Sequence, residues 1–191
     1  MTKKPIWVPT IIVDTREQQP WVFRKCTKTN GSVSRSLETG DYSIEGLEKV
    51  FVIERKASPS ELYSNLIGDD RERFLHVLDR LETIPYKYIF IECTIEDIYQ
   101  WPNILKRMIK SKKGYSPNIP SPEYIMSQLV EIEVKRKIPV KFLGKKQNGE
   151  WECTKNYINR FMYKFYNLYM NGELDVGPSS ASTGTPQIQV D

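Results

Sequence analysis

The chain has 191 residues, of which 39% are apolar and 27% charged, with a net charge of +4 and a pI of about 8.8. That suits one packed domain with a tail. It excludes a membrane-spanning helix, because no apolar run approaches the roughly 18 residues needed to cross a bilayer. Three widely spaced cysteines, Cys26, Cys93 and Cys153, form neither a zinc pattern nor a disulfide framework, so a reducing, intracellular setting is expected.

In chain order, the apolar N-terminal stretch is broken by Pro9 and stops at Asp14. It therefore reads as a first strand over Ile11-Ile12-Val13 rather than as a leader. Residues 21–38 read as a second strand and a loop, with Asn30-Gly31 as a turn signal. A short strand is expected over 40–44, and a stronger, β-branched one over 50–56. Ser58, Pro59 and Glu61 together spell the start of a helix: a cap, a proline in the first turn and an acid three residues after the cap. A second helix is expected over 70–82, with Phe74, Leu75, Leu78 and Leu81 at helical spacing.

The segment 86–92, YKYIFIE, reads as another apolar strand ending in an acid. Thr94 caps a short helix ending near Trp101, and 102–122 reads as a basic, proline-bearing insertion, mobile or partly helical. A helix from Ser121 to about Lys137, a strand over 139–143 and an aromatic amphipathic helix from Thr154 to about Met170 follow. Residues 177–191 are polar and of low complexity, and are expected to form a disordered tail behind a domain of residues 1–176. Interleaved strands and helices, several strands being apolar throughout, indicate an α/β domain with a mixed central sheet flanked by helices. Two basic clusters stand out: Lys106, Arg107, Lys110, Lys112 and Lys113, and then 135–137 with Lys141, Lys145 and Lys146. Such clusters either follow a phosphate backbone or simply solvate a helix face.

The unusual stretch is GDYSIEGLEKVFVIERK, residues 40–56. Alternation along the last strand places Glu54 and Lys56 on one face and Arg55 on the other, the two alpha carbons lying roughly 6.6 Å apart. A hairpin closed by residues 45–50 brings Asp41 to the same point. Two converging carboxylates repel one another, and a hard divalent cation, magnesium or manganese, relieves that repulsion. A neighbouring lysine can position or deprotonate a water, or stabilise charge on a phosphate. The ordinary alternative is an exposed strand end with a local ion pair.

These residues carry a resemblance. Val13-Asp14-Thr15-Arg16-Glu17, then Gly40-Asp41, then Glu54-Arg55-Lys56, resemble the signature of the XPF-type structure-specific endonuclease domain, a branch of the restriction-endonuclease-like PD-(D/E)XK superfamily. The likeness spans about residues 8–170 and includes the basic residues and Phe of 71–74, Arg71-Glu72-Arg73-Phe74. It implies a restriction-endonuclease-like fold and a metal-dependent DNA endonuclease acting on branched or junction DNA. It implies metal ligands Asp41, Glu54 and Asp14, a catalytic Lys56, and roles for Arg16 and Arg55 in holding phosphate or the acids. Arg71, Arg73, Lys106, Arg107, Lys110, Lys112 and Lys113 become candidate DNA contacts. Homodimeric or heteromeric assembly is compatible with it. A catalytically silent DNA-binding subunit, or a resolvase or restriction-type nuclease of the same superfamily, are the rival functions.

Two departures from the signature bear on the site. The acid expected after a gap of three residues beyond Lys56 is Ser60 here, with Glu61 next to it, and the residues after the aromatic helix hold no Gly-rich hairpin pair, so a stand-alone nuclease domain without a helix-hairpin-helix unit is expected. Glu92 reads as structural, and the single histidine, His76, as a packing or surface residue. Tyr157, Phe161, Phe165 and Tyr169 read as a core or dimer-facing stripe, and Trp101 as a weak candidate for DNA contact.

Overall fold

A computed structural model describes residues 5–109, 119–144 and 150–175. The proposed tail, 177–191, and Lys110, Lys112, Lys113, Lys145 and Lys146 lie outside the described residues. The strands are β1 (Ile11–Val13), β2 (Ser32–Ser34), β3 (Tyr42–Ile44), β4 (Phe51–Lys56), β5 (Tyr86–Ile91) and β6 (Val140–Phe142). The helices are α1 (Pro59–Ile67), α2 (Arg71–Glu82), α3 (Ile95–Ile109), α4 (Pro122–Arg136) and α5 (Glu150–Met170). The strands form one six-stranded mixed sheet in the order β2-β1-β3-β4-β5-β6. The β1–β3 and β3–β4 pairs are antiparallel, and β1–β2, β4–β5 and β5–β6 are parallel. The α/β sheet expected from the sequence is thus observed.

Alternation divides the core into two layers. Val52 of β4 with Ile89 and Ile91 of β5 packs against α1, α2 and α4 through Leu62, Leu66, Phe74, Leu78, Leu81 and Leu129. Phe51 and Ile53 of β4 with Phe90 of β5 pack on the other face against Trp21, Tyr42, Ile158, Met162 and Phe165. Side chains of the two layers alternate along β4, so the charges that follow are sorted in the same way.

Several local expectations hold in detail. Ser58 Oγ accepts the Glu61 N–H at 3.2 Å while Glu61 Oε2 accepts the Ala57 N–H at 2.8 Å, with Pro59 in the first turn. The hairpin that was to carry Asp41 back to Glu54 is present, with Tyr42 opposite Ile53. Gly40 has φ +79°, and a Cβ there would lie 1.9 Å from Val52 Cγ1. The residue before Asp41 must therefore lack a side chain, both for its left-handed backbone and for the close crossing of β4.

Three boundaries differ. Pro102 does not end α3, which runs on to Ile109. Its missing N–H would orphan the Ile98 carbonyl one turn back, and the Tyr63 hydroxyl donates to that carbonyl at 3.4 Å. The expected strand in 21–38 shrinks to Ser32–Ser34, because Trp21 enters the core from a loop instead: its N–H donates to the Tyr42 hydroxyl at 2.9 Å, and the two rings stack 4.3 Å apart. Helix α5 begins at Glu150, and Thr154, expected as its first residue, donates from Oγ1 to the Leu143 carbonyl at 2.9 Å. Phe161 and Phe165 pack on the sheet as expected, and Tyr157, 43% exposed, sets its ring against Phe90 and Phe161 at the edge of the same stripe. Trp101 packs partly buried against the helical layer.

Candidate active site

The ends of β3 and β4, the loop after β1 and the cavity-facing side of α2 enclose a cleft of about 670 Å³. Asp41, Glu54 and Lys56 line it together, as the alternation argument required. Asp41 Oδ2 accepts the Arg55 N–H at 2.6 Å, so the β4 backbone fixes this carboxylate. Lys56 Nζ donates to Glu54 Oε1 at 2.8 Å, lies 3.5 Å from Glu61 Oε1 and sits 4.5 Å from the centre of the Phe74 ring. Among the described residues, Asp41 Oδ1 and Glu54 Oε2 accept no hydrogen bond.

The electrostatics match this geometry. Burial, reinforced by the charge of Glu54, pushes the Asp41 pKa up from 3.8 to about 8; the Arg55 N–H and Lys56 only partly oppose it. Burial disfavours the charged form of Lys56, but Glu54, Glu61 and Asp41 together hold its pKa above the ordinary value, so it stays an ammonium. Two neighbouring carboxylates that line one cleft, one of them costly to ionise beside the other, suit a hard cation. Among the described residues no cluster of three or more His, Cys, Asp or Glu side chains is arranged to hold a metal. Asp41 and Glu54 thus offer a two-carboxylate site, which fits magnesium, an ion that keeps several of its own waters.

Asp14 is not among the residues that line the cleft with Asp41 and Glu54. The chain turns sharply after β1, and the buried carboxylate is taken up by the Arg16 N–H at 2.8 Å, Arg16 Nε at 2.7 Å, Arg16 Nη2 at 3.0 Å and the Leu37 N–H at 2.7 Å. Burial opposes its charge, yet Arg16 and these N–H groups pull its pKa down. Asp14 does not line the cleft, whereas Arg16, which it anchors, does.

Arg55 faces the opposite side of β4. Its guanidinium forks onto Glu92 Oε1 and Oε2, both at 2.9 Å, and reaches Glu17 Oε1 and the Gln19 carbonyl, each at 3.0 Å. The Trp21 indole N–H also donates to Glu92. Glu92 falls on this face because Phe90 is the register partner of Arg55 and alternation brings the residue two further on back to the same side. This cluster ties the loop of Glu17, Gln18 and Gln19, one wall of the cleft, to the sheet.

The other expected DNA contacts separate. Arg73 lines the cleft, but Arg71 lines a different groove, between α2 and α4. Lys106 and Arg107, at the end of α3, do not line the cleft. Arg80, which does line it, was missed. Its signal in the sequence is the seven-residue step from Arg73, which returns a helix to nearly the same face.

An ERCC4 domain family model matches residues 13–151. No curated protein matches the chain. Among solved structures, an XPF from Aeropyrum pernix superposes with a TM-score of 0.54 at 12% identity, covering 95% of this chain and 70% of that one. An XPF from the same organism in complex with DNA gives a TM-score of 0.49 at 14% identity, covering 85% and 72%. The signature of Gly40-Asp41 and Glu54-Arg55-Lys56, the sheet that mounts it and the family match agree: the chain belongs to the ERCC4 domain family and has the fold of an XPF-type nuclease domain.

Proposed function

We propose that this chain is a magnesium- or manganese-dependent DNA endonuclease that hydrolyses phosphodiester bonds in branched DNA. The observation that carries the reading is the convergence of Asp41, Glu54 and Lys56 on one cleft, each acid keeping one oxygen without a hydrogen bond among the described residues. Family membership supports DNA as the substrate.

Asp41 and Glu54 would hold the ion. When bound, the cation supplies Lewis-acid polarisation of the phosphodiester and makes water at the site more acidic. The chain's own groups do the rest. The Arg55 N–H holds Asp41 in place, and Lys56 presents a fixed positive charge where the attacked phosphate gains negative charge. Glu61 and the Phe74 ring keep that ammonium in position when Glu54 is drawn toward a cation. Glu61 is thus placed to take over from the missing acid at Ser60. Water adds to phosphorus, one P–O bond breaks, and the products are a phosphate monoester and a free hydroxyl.

The test is a cleavage panel of flap, fork, four-way and linear duplex DNA with magnesium, manganese or excess EDTA. We expect cutting of branched DNA that EDTA abolishes and Glu54→Gln lowers by about 10²–10³-fold. Cleavage in excess EDTA, or a wild-type rate in Glu54→Gln, rejects the mechanism. Equal cutting of linear duplex favours a restriction-type nuclease, and binding without cutting under any metal favours a silent DNA-binding subunit.

A further inference from the structure

Helix α2 sorts its charges by face. Asp79 and Glu82 both receive Arg136 of α4, at 2.7 and 2.9 Å. Arg73 and Arg80 lie on the side that lines the cleft, with Val77 between them. At 3.6 residues per turn the two arginines nearly eclipse one another, roughly 10.5 Å apart along the axis, while the two acids project roughly 110–170° away. Arg136 neutralises the acids and draws them toward α4, leaving the cleft wall cationic and apolar. Both arginines are exposed. Arg73 has one weak partner, Asp70 at 3.4 Å, and among the described residues Arg80 has no ion pair.

Deeper in the cleft the one ammonium, Lys56, is engaged by Glu54 at 2.8 Å and by Glu61 at 3.5 Å beside Asp41. Away from the reacting phosphate, the path of a polyanion therefore depends on cations on the walls. Arg16, on the opposite lip, is committed to Asp14 and the Leu37 carbonyl. The α2 wall is where uncommitted guanidinium groups are in reach.

We propose that Arg73 and Arg80 form a two-site phosphate track along α2, which grips the backbone of the substrate strand to one side of the cut. A spacing of roughly 10.5 Å along α2 is wide enough for the two guanidinium groups to take two different phosphates of one strand. The track rests on the nuclease reading above and adds to it the direction in which the strand leaves the acids.

The test is equilibrium binding of a fluorescent forked DNA, in calcium without magnesium, across a salt series. Each phosphate contact removed should flatten the slope of log affinity against log salt by about 0.7–0.9. We expect that loss for Arg80→Ala and for Arg73→Ala, and about twice that for the double variant. Arg71→Ala, on the other face, should leave the slope unchanged. In cleavage assays KM should rise several-fold for each single variant while kcat holds, which a mere loss of stability would not produce. The arginines are exposed, so folding is not at stake. A double variant with the wild-type salt slope and KM overturns the track even if the wild type cuts DNA. A wild-type protein that binds no DNA at low salt overturns the nuclease reading itself.

Discussion

The two faces of β4 take the same three-residue run, Glu54-Arg55-Lys56, and use it in opposite ways. On one face Arg55 is closed off: its side chain is 2% exposed, Glu92 opposite it 3%, and every arm of the guanidinium has a partner. On the other face the Glu54 and Lys56 side chains are nearly as buried, 9% and 5% exposed, but with Asp41 they line a cleft, and Asp41 is held in a form whose ionisation is costly. A satisfied charge cluster fixes geometry, and an unsatisfied one is ready to take a ligand. Alternation along a strand is enough to mount both within one tripeptide.

That contrast can be broken from either side. The largest effect on stability should come from the closed face. Arg55→Ala removes the guanidinium that forks onto the buried Glu92 carboxylate, and should cost about 3–5 kcal/mol in urea unfolding. A loss under 1 kcal/mol would show that the cluster is not the clamp described. On the open face, Glu54→Gln should lower single-turnover cleavage by about 10²–10³-fold with little change in thermal stability. A variant that loses activity only by unfolding would remove the distinction between the faces.

Next in size is a pH effect. The Asp41 pKa rises from 3.8 to about 8 on folding, so the folded state binds this proton more tightly than the unfolded chain does. Its stabilising contribution is complete below about pH 4 and fades as pH rises through about 8. In EDTA, therefore, Asp41→Asn should melt a few degrees higher than wild type at pH 8 and close to it at pH 4. An unchanged difference between the two pH values would contradict the assignment. The smallest effect is local: Ser58→Ala removes the cap of α1 and should cost about 1 kcal/mol by the same urea measurement.

Much of this site could be read from the chain, because short-range rules place it. The β4 alternation, the glycine before Asp41 and the Ser58–Glu61 cap depend on neighbours within a few residues. What could not be read depends on distant partners. Helix α3 passes Pro102 because Tyr63, on α1, satisfies the orphaned carbonyl. Asp14 turns from the cleft because Leu37, 23 residues on, offers it an N–H. Arg71 and Arg73 look equivalent in sequence, but the docking of α2 against α4 sends one to each side. Glu92 was legible as the charged end of a strand, and its partner Arg55 only through the parallel register of β4 and β5.

The central claim is that Asp41 and Glu54 form the metal site while Arg55 does not take part in it. Titration of manganese into the DNA-free protein, followed by paramagnetic resonance or calorimetry, tests this most directly. We expect one ion bound by the wild type, binding lost in Asp41→Asn and in Glu54→Gln, and binding kept in Glu92→Gln. Wild-type affinity in both acid variants would contradict it.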